Sequence, residues 1–293
     1  MAKNSRNRKT TRKNNSRQNR QGNRHRQDRG KQIHERSNRT SPNKGLGGDV
    51  VEGRQAVREL LAAGNRRVRE VVLITDLDPS PILAQIKDLA LEKRVPLREV
   101  TRSKFDSLAV TESPQGVVSF AEPLPNLEIE DLLSSPMGKP FLLVMDGIMD
   151  PRNLGAMLRT AECAGVTGVL LPKHGATRIT PAVTKTAQGA IEHLPIASVS
   201  SIPKGLNLLK GQGVWTVGLD ADSVTDIYEL EVTDEPVALV LGSEGQGLGR
   251  LSRERCDLIA KIPLIGSIDS LNVSAAAAVA CFEIAKKRRL QNM

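Results

Sequence analysis

Three short stretches gather carboxamides, hydroxyls, carboxylates and glycines at places where an α/β protein does chemistry. The first is Asp146-Gly147-Ile148-Met149-Asp150-Pro151-Arg152-Asn153-Leu154-Gly155, running on to Arg159, Thr160, Ala161 and Glu162. The second is Leu241-Gly242-Ser243-Glu244-Gly245-Gln246-Gly247-Leu248. The third is Ile262-Pro263-Leu264, then Ser270-Leu271-Asn272-Val273-Ser274. Each follows directly on an apolar run that reads as a buried strand, and open α/β sheets take their ligands beyond such strand ends. Glycines there let backbone amides approach a ligand closely.

Other chemistries find less support. His174 and His193 have no Ser, Cys or acidic partner at a motif spacing, so a hydrolase triad is not indicated. No Walker loop occurs, and Arg250 stands where the third glycine of a dinucleotide fingerprint would follow Gly245 and Gly247. The candidate residues also have plainer readings. Arg159 could pair with Glu162 along one helix for a few tenths of a kcal/mol. Asn153, Ser270 and Asn272 are all good helix caps, and Glu244 could be a solvated carboxylate.

The elements that must position these residues alternate. In the first part, helices are expected at 54–63, 80–94 and 102–109, with strands at 70–75, 97–100 and 116–121. Prolines and scattered acids mark 123–139 as a linker after a small α/β domain at 49–122. In the second part, apolar strands are expected at 141–145, 167–171, 213–219, 237–241 and 258–262, with helices at 153–164, 181–190 and 272–290. Strands apolar throughout and alternating with helices imply a parallel sheet covered on both faces. The basic run Lys286–Arg289 complements the dipole of the last helix without any nucleic acid.

Charge divides the chain differently. Residues 1–48 hold 15 Lys/Arg against Asp28 and Glu35, a net of +13. The remaining residues hold 27 basic and 31 acidic side chains, a net of −4. The arm has no aromatic residue and too few apolar ones to fold alone, so a disordered basic tail is expected, suited to phosphate attraction. It lacks the apolar core of a signal peptide, and the chain has no run long enough to span a membrane. Three widely spaced cysteines, Cys163, Cys256 and Cys281, form neither a metal pattern nor a disulfide framework. They suggest a reducing, cytoplasmic setting and buried packing roles.

Taken together, the three stretches resemble the signature motifs of the SpoU/TrmH family of SPOUT RNA methyltransferases, over about residues 140–290. Val51-Glu52-Gly53-Arg54-Gln55-Ala56-Val57 and Gln115-Gly116-Val117-Val118 look like the two ends of that family's RNA substrate-binding domain. One departure is Pro114, where a His usually precedes the Gln-Gly-Val-Val run. The resemblance implies a C-terminal parallel-sheet domain (140–293) closed by a deep trefoil knot, which periodicity alone would never suggest. It implies transfer of a methyl group from S-adenosylmethionine to an RNA ribose 2′-hydroxyl, without a metal. A guanosine of 23S ribosomal RNA is the expected target, and a homodimer the expected assembly. It assigns catalysis to Asn153, Arg159, Glu244, Ser270 and Asn272, and donor binding to Gly242, Ile262 and Leu271. Within the same class, the rivals are a transfer-RNA ribose methyltransferase and a ribosomal methylase conferring antibiotic resistance. From another class, the rival is a non-catalytic RNA-binding or ribosome-assembly factor.

Overall fold

A computed structural model describes residues 45–134, 136 and 138–291, so most of the basic arm lies outside the described residues. The first lobe carries β1 (Val50–Glu52), α1 (Arg54–Ala63), β2 (Val68–Ile74), α2 (Pro81–Glu92), β3 (Leu97–Val100), α3 (Arg102–Asp106) and β4 (Val117–Ala121). Its sheet order is β1-β4-β2-β3, with β4 antiparallel to both neighbours and β2 parallel to β3. One face buries Val57, Leu60, Leu73, Leu83 and Ile86, which joins α1 and α2 to the sheet; the other buries Val72, Val100, Phe105 and Val118.

The stretch expected to be a bare linker contains a helix, α4 (Ile129–Leu133). Its capping box, with Glu128 and Asp131 exchanging bonds, overrides the loop signal of the flanking prolines. The second lobe continues with β5 (Phe141–Met145), α5 (Pro151–Cys163), β6 (Gly168–Pro172), α6 (Pro181–Ala187), β7 (Ile196–Val199), α7 (Ile202–Gly211), β8 (Trp215–Leu219), β9 (Val237–Leu241), α8 (Arg250–Arg255), β10 (Leu258–Ala260) and α9 (Val273–Gln291). Its six strands are all parallel, in the order β10-β8-β9-β5-β6-β7. Both faces are covered, as continuous apolar strands require. Leu143, Met145, Leu154, Met157, Val183 and Ala277 share one core, and Leu142, Val144, Leu170, Leu206, Leu209 and Val240 share the other.

The lobes are joined by a buried bidentate ion pair. Arg66 Nε and Nη2 donate to Glu192 Oε2 at 2.9 Å and Oε1 at 2.6 Å, with 3% and 1% of the two side chains exposed. Arg66 Nη1 also donates to the carbonyls of Gly48 at 2.6 Å and Glu122 at 2.7 Å. A buried charge persists only when its hydrogen-bonding capacity is met in this way.

Two expectations are corrected. Gly45–Gly48, the last residues of the stretch expected to be a disordered tail, lie against the second lobe: the Leu46 N–H donates to Leu124 O at 2.9 Å and the Gly48 N–H to Ile179 O at 2.8 Å. Of the three cysteines expected to be buried, only Cys281 is; Cys256 is half-buried and Cys163 is exposed at the end of α5. Burial pushes the Cys281 thiol up to about 12. No helix among the described residues is long and apolar enough to cross a membrane.

Candidate active site

Asp150, not Asn153, caps α5: its side chain accepts from the Arg152 N–H, and Pro151 occupies the first turn, where a missing N–H costs nothing. That frees Asn153, which is buried within the first turn and faces the loop beyond β9. Asn153 Nδ2 donates to Glu244 Oε2 at 2.9 Å. Asn272 Nδ2 lies 3.1 Å from Asn153 Oδ1 and 3.2 Å from Glu244 Oε1. The three side chains therefore close a ring of hydrogen bonds from residues far apart in sequence. Asn272 also serves its plainer role, because Oδ1 accepts from the Ser274 N–H at 2.9 Å and from Ser274 Oγ at 2.6 Å at the start of α9. The cap fixes the rotamer that aims the amide nitrogen at Glu244. Both carboxylate oxygens of Glu244 are thereby held in direction although the residue is exposed.

Beside this ring lies a cavity of about 220 Å³ at the C-terminal ends of β8 and β9. Gly242, Glu244, Ile262, Ser270 and Leu271 all line it, so the second and third stretches meet there. Leu219, Leu241, Val273 and Ala276 give it apolar walls, and Asp220 and Asp269 add carboxylates. The wall formed by the second stretch is a tight hairpin in which Ser243 and Gly247 exchange backbone bonds of 3.0 Å in both directions. Gly245 and Gly247 take φ of +81° and +64°, conformations that other residues adopt at a cost. The reason for Gly242 is different. A Cβ there would lie 1.9 Å from Gly247 O and 2.3 Å from Leu248 N, so the glycine is required by the loop's contact with itself.

Asp146 braces the elements on either side of this hairpin, a role the sequence did not reveal. Its N–H donates to Leu241 O at 2.7 Å, and its Oδ2 accepts from buried Ser252 Oγ at 2.5 Å. The available signal was an acidic residue directly after a fully buried strand, where a carboxylate needs partners.

Arg159 is the exception among the expected residues. It does not line the cavity, it is exposed on α5, and no ion pair with Glu162 occurs among the described residues. The cavity of the single chain thus brings together seven of the eight expected positions, directly or through the Asn153 ring.

A parallel α/β sheet with its polar loops gathered beyond the strand ends defines a ligand-binding α/β protein, and comparison with known proteins makes the family specific. Residues 140–282 match the SpoU rRNA Methylase family, and residues 50–127 match the RNA 2′-O ribose methyltransferase substrate binding family. The chain belongs to the SpoU rRNA methylase family. A curated relative from Pseudomonas putida, the 23S rRNA (guanosine-2′-O-)-methyltransferase RlmB, is 38% identical over 83% of this chain and 98% of its own length. The protein of the same name from Photobacterium profundum is 36% identical over 84% of this chain and 100% of its own. Among solved structures, an RNA 2′-O ribose methyltransferase superposes with a TM-score of 0.68 at 27% identity, covering 82% of this chain and 88% of that one. The SpoU methyltransferase AviRb of Streptomyces viridochromogenes, solved with AdoMet, shares the fold with a TM-score of 0.68 at 22% identity, over 82% of this chain and 90% of that one.

Proposed function

We propose that this chain transfers a methyl group from S-adenosylmethionine to a ribose 2′-hydroxyl of RNA, with a guanosine of 23S ribosomal RNA as target. One observation carries the reading: the Asn153–Glu244–Asn272 ring stands at a cavity walled by the 242–248 hairpin and the 262–273 segment. The family and its curated relatives support the reaction and the RNA.

The cavity suits the donor. Leu219, Leu241, Val273 and Ala276 would take its apolar surface, and Gly242, Ile262 and Leu271 would hold it chiefly through main-chain atoms. Asp220, Glu244 and Asp269 make the surroundings favourable to a cation. When bound, S-adenosylmethionine supplies a methyl group on a sulfonium, an electrophile that needs no metal. Asn153, Asn272 and Ser270 orient the ribose, and Glu244 is the group of the ring able to take a proton from its hydroxyl. A guanidinium is a poor proton acceptor, so Arg159 serves the ribose and its phosphate instead. Rate enhancement comes from alignment and from assisted deprotonation.

Arg159 points to assembly. Because it lies outside its own chain's cavity, a homodimer packed through α5 would deliver it to the partner's cavity. The trefoil knot belongs to the same reading. The chain leaves edge strand β10, returns across the sheet to α9, and there Lys287 Nζ bonds Tyr228 O at 2.6 Å and Arg288 Nε bonds Thr233 O at 2.6 Å, in the segment between β8 and β9. Residues 49–122 act as the RNA-binding domain and 140–293 as the methyltransferase, joined by 123–139, and the enzyme works in the cytoplasm beside its RNA.

The test is transfer of labelled methyl groups to ribosomal RNA from a strain lacking the gene, followed by site mapping. A single 2′-O-methylguanosine in 23S ribosomal RNA is expected. Methylation of transfer RNA alone would replace the target, and absence of donor binding by calorimetry would leave the non-catalytic reading.

A further inference from the structure

A second groove, of about 700 Å³, lies wholly in the first lobe, between the start of α1, α3 and the loop that precedes β4. The loop is held with unusual care. Pro114 to Val117 form a tight turn closed by Val117 N–H on Pro114 O at 3.2 Å, and its central residues Gln115 and Gly116 have φ of +58° and +74°. Glycine accepts such a conformation freely; glutamine does so at a cost, and such strain persists only when the surroundings enforce it.

Three consecutive residues supply the enforcement. Glu52, completely buried, accepts from the Val110 and Thr111 N–H groups and the Thr111 hydroxyl at the start of the loop. The Gly53 N–H donates to Val117 O at 3.2 Å at its end. Arg54 takes the middle: its N–H donates to Gln115 Oε1 at 2.9 Å and its Nε to Gln115 O at 3.2 Å, while Nη1 reaches Ser80 Oγ at 3.3 Å. With the side-chain oxygen of Gln115 occupied, the amide NH2 of this exposed residue is left as a donor pair in a fixed direction.

The lining is mixed in a telling way. Ile74, Leu77 and Ile82 give an apolar floor, while Gln115, Arg102 and Glu112 give a donor amide, a guanidinium and a carboxylate at the edge. A path for phosphates alone would exclude the carboxylates of Glu112 and Asp106. A flat apolar body with both donors and acceptors on its rim matches the set, and in RNA that object is an unpaired base. The residue before Arg54 adjoins the lobe that carries the candidate active site. Gly53 borders the Cγ of Lys185 on α6, and α6 packs tightly on α5 at Gly155, two residues after Asn153.

Resting on the reading of this chain as an RNA methyltransferase, we propose that the groove is a nucleobase subsite. An unpaired base of the same RNA lies on Leu77 and Ile82, with the Gln115 amide donating to its edge and Glu112 accepting from it. The subsite selects RNA in which an unpaired base stands at a fixed distance from the methylated ribose.

The test uses Gln115→Gly and Gln115→Glu in the full chain, with in-vitro transcribed 23S ribosomal RNA as probe. Gly relieves the left-handed strain and removes the amide; Glu keeps the shape and replaces the donor pair by an acceptor. Both variants should weaken RNA binding about tenfold, the size of one lost base-edge contact. Melting temperature should not fall for Gln115→Gly, and donor affinity should be unchanged in both. For Gln115→Gly the slope of affinity against salt should also be unchanged, because a neutral base contact releases no counterions. A single-stranded oligoribonucleotide should compete with the wild-type complex better than a duplex of equal length, and Gln115→Gly should lose that difference. Unchanged affinity in both variants, or a loss in Gln115→Gly accompanied by a shallower salt slope, overturns the subsite. These are binding measurements, so they stand apart from the assigned reaction, which fails only if the wild type does not methylate the RNA.

Discussion

Ser252 Oγ donates to Asp146 Oδ2 at 2.5 Å, while the Asp146 N–H reaches Leu241 O at 2.7 Å, so one residue ties together β9 and α8, the two elements that flank the hairpin walling the cavity. A hydrogen bond to a charged group contributes about 1.5–3 kcal/mol, and its loss here loosens the hairpin before the donor binds. Asp146→Ala is therefore expected to weaken S-adenosylmethionine binding by about 10- to 100-fold, since the donor must then order the loop itself. Asp146→Asn, which keeps an oxygen acceptor, should fall between. RNA affinity should be unaffected. Calorimetry with each variant checks this, and wild-type donor affinity in a folded Asp146→Ala protein would refute the role.

Gly242 offers a sharper geometric test. Even alanine places a Cβ 1.9 Å from the carbonyl oxygen of Gly247, which is backbone and cannot step aside. Forced overpacking typically costs about 1–3 kcal/mol, and here it opens the hairpin. Gly242→Ala should lose most donor affinity together with some thermal stability. At Gly245 no atom lies within 4 Å of a built Cβ, so Gly245→Ala meets only the cost of its φ of +81° and should retain more donor binding. Equal donor affinity in the two variants would contradict this account.

How much of this was legible in the sequence depended on the range of the forces involved. Strands such as Phe141–Met145 and Val237–Leu241 were readable to the residue because burial on both faces leaves an unbroken apolar run. The short helices Ile129–Leu133 and Arg250–Arg255 escaped, because each spans less than two turns and declares little periodicity. At the candidate site, the identities of Asn153, Glu244 and Asn272 stood out through resemblance, yet their mutual bonds did not, since these join residues 91 and 119 positions apart. The Asp150 cap is local and could have been found: Asp before Pro is a common helix start, and it removes the capping explanation for Asn153.

Arg159 yields a prediction about assembly. Arg159→Ala and Glu244→Ala should each lower turnover at least 100-fold, the first through lost positioning of the ribose and its phosphate, the second through lost assistance to deprotonation of the hydroxyl. If Arg159 serves the partner's cavity, mixing the two inactive proteins under subunit exchange creates hybrid dimers in which one site has both residues. Random pairing then restores about a quarter of the sites, given two-fold symmetry. If Arg159 acts within its own chain, every hybrid site lacks one residue and nothing is restored. Methyl transfer assayed after mixing decides between the two, and a monomer by light scattering would remove the premise.

The N-terminal arm can be cut at two places, and the structure separates their consequences. Deleting residues 1–44 removes all 15 Lys/Arg of the arm and both its acids, leaving a protein of net charge −4. Deleting residues 1–48 removes the same charge and, in addition, Gly45–Gly48. That short segment gives Leu46 N–H to Leu124 O, Gly48 N–H to Ile179 O, and the Gly48 carbonyl to the buried guanidinium of Arg66 at 2.6 Å. Leaving buried partners unsatisfied costs about 1–3 kcal/mol each, so the longer deletion should melt measurably lower while the shorter one melts like the full chain. RNA binding should not distinguish them. Both should bind more weakly than the full chain, and both should lose about 0.7–0.9 from the log–log salt slope for each phosphate contact the arm makes. The methylated position should survive in both, because phosphate contacts carry no direct sequence information and an arm without aromatic residues cannot stack on bases. Filter-binding salt titrations, thermal melts and methylation mapping on the three proteins make the comparison. Equal melting temperatures for the two deletions would show that Gly45–Gly48 does not brace the lobes, and a salt slope unchanged from the full chain would show that the arm does not touch the RNA.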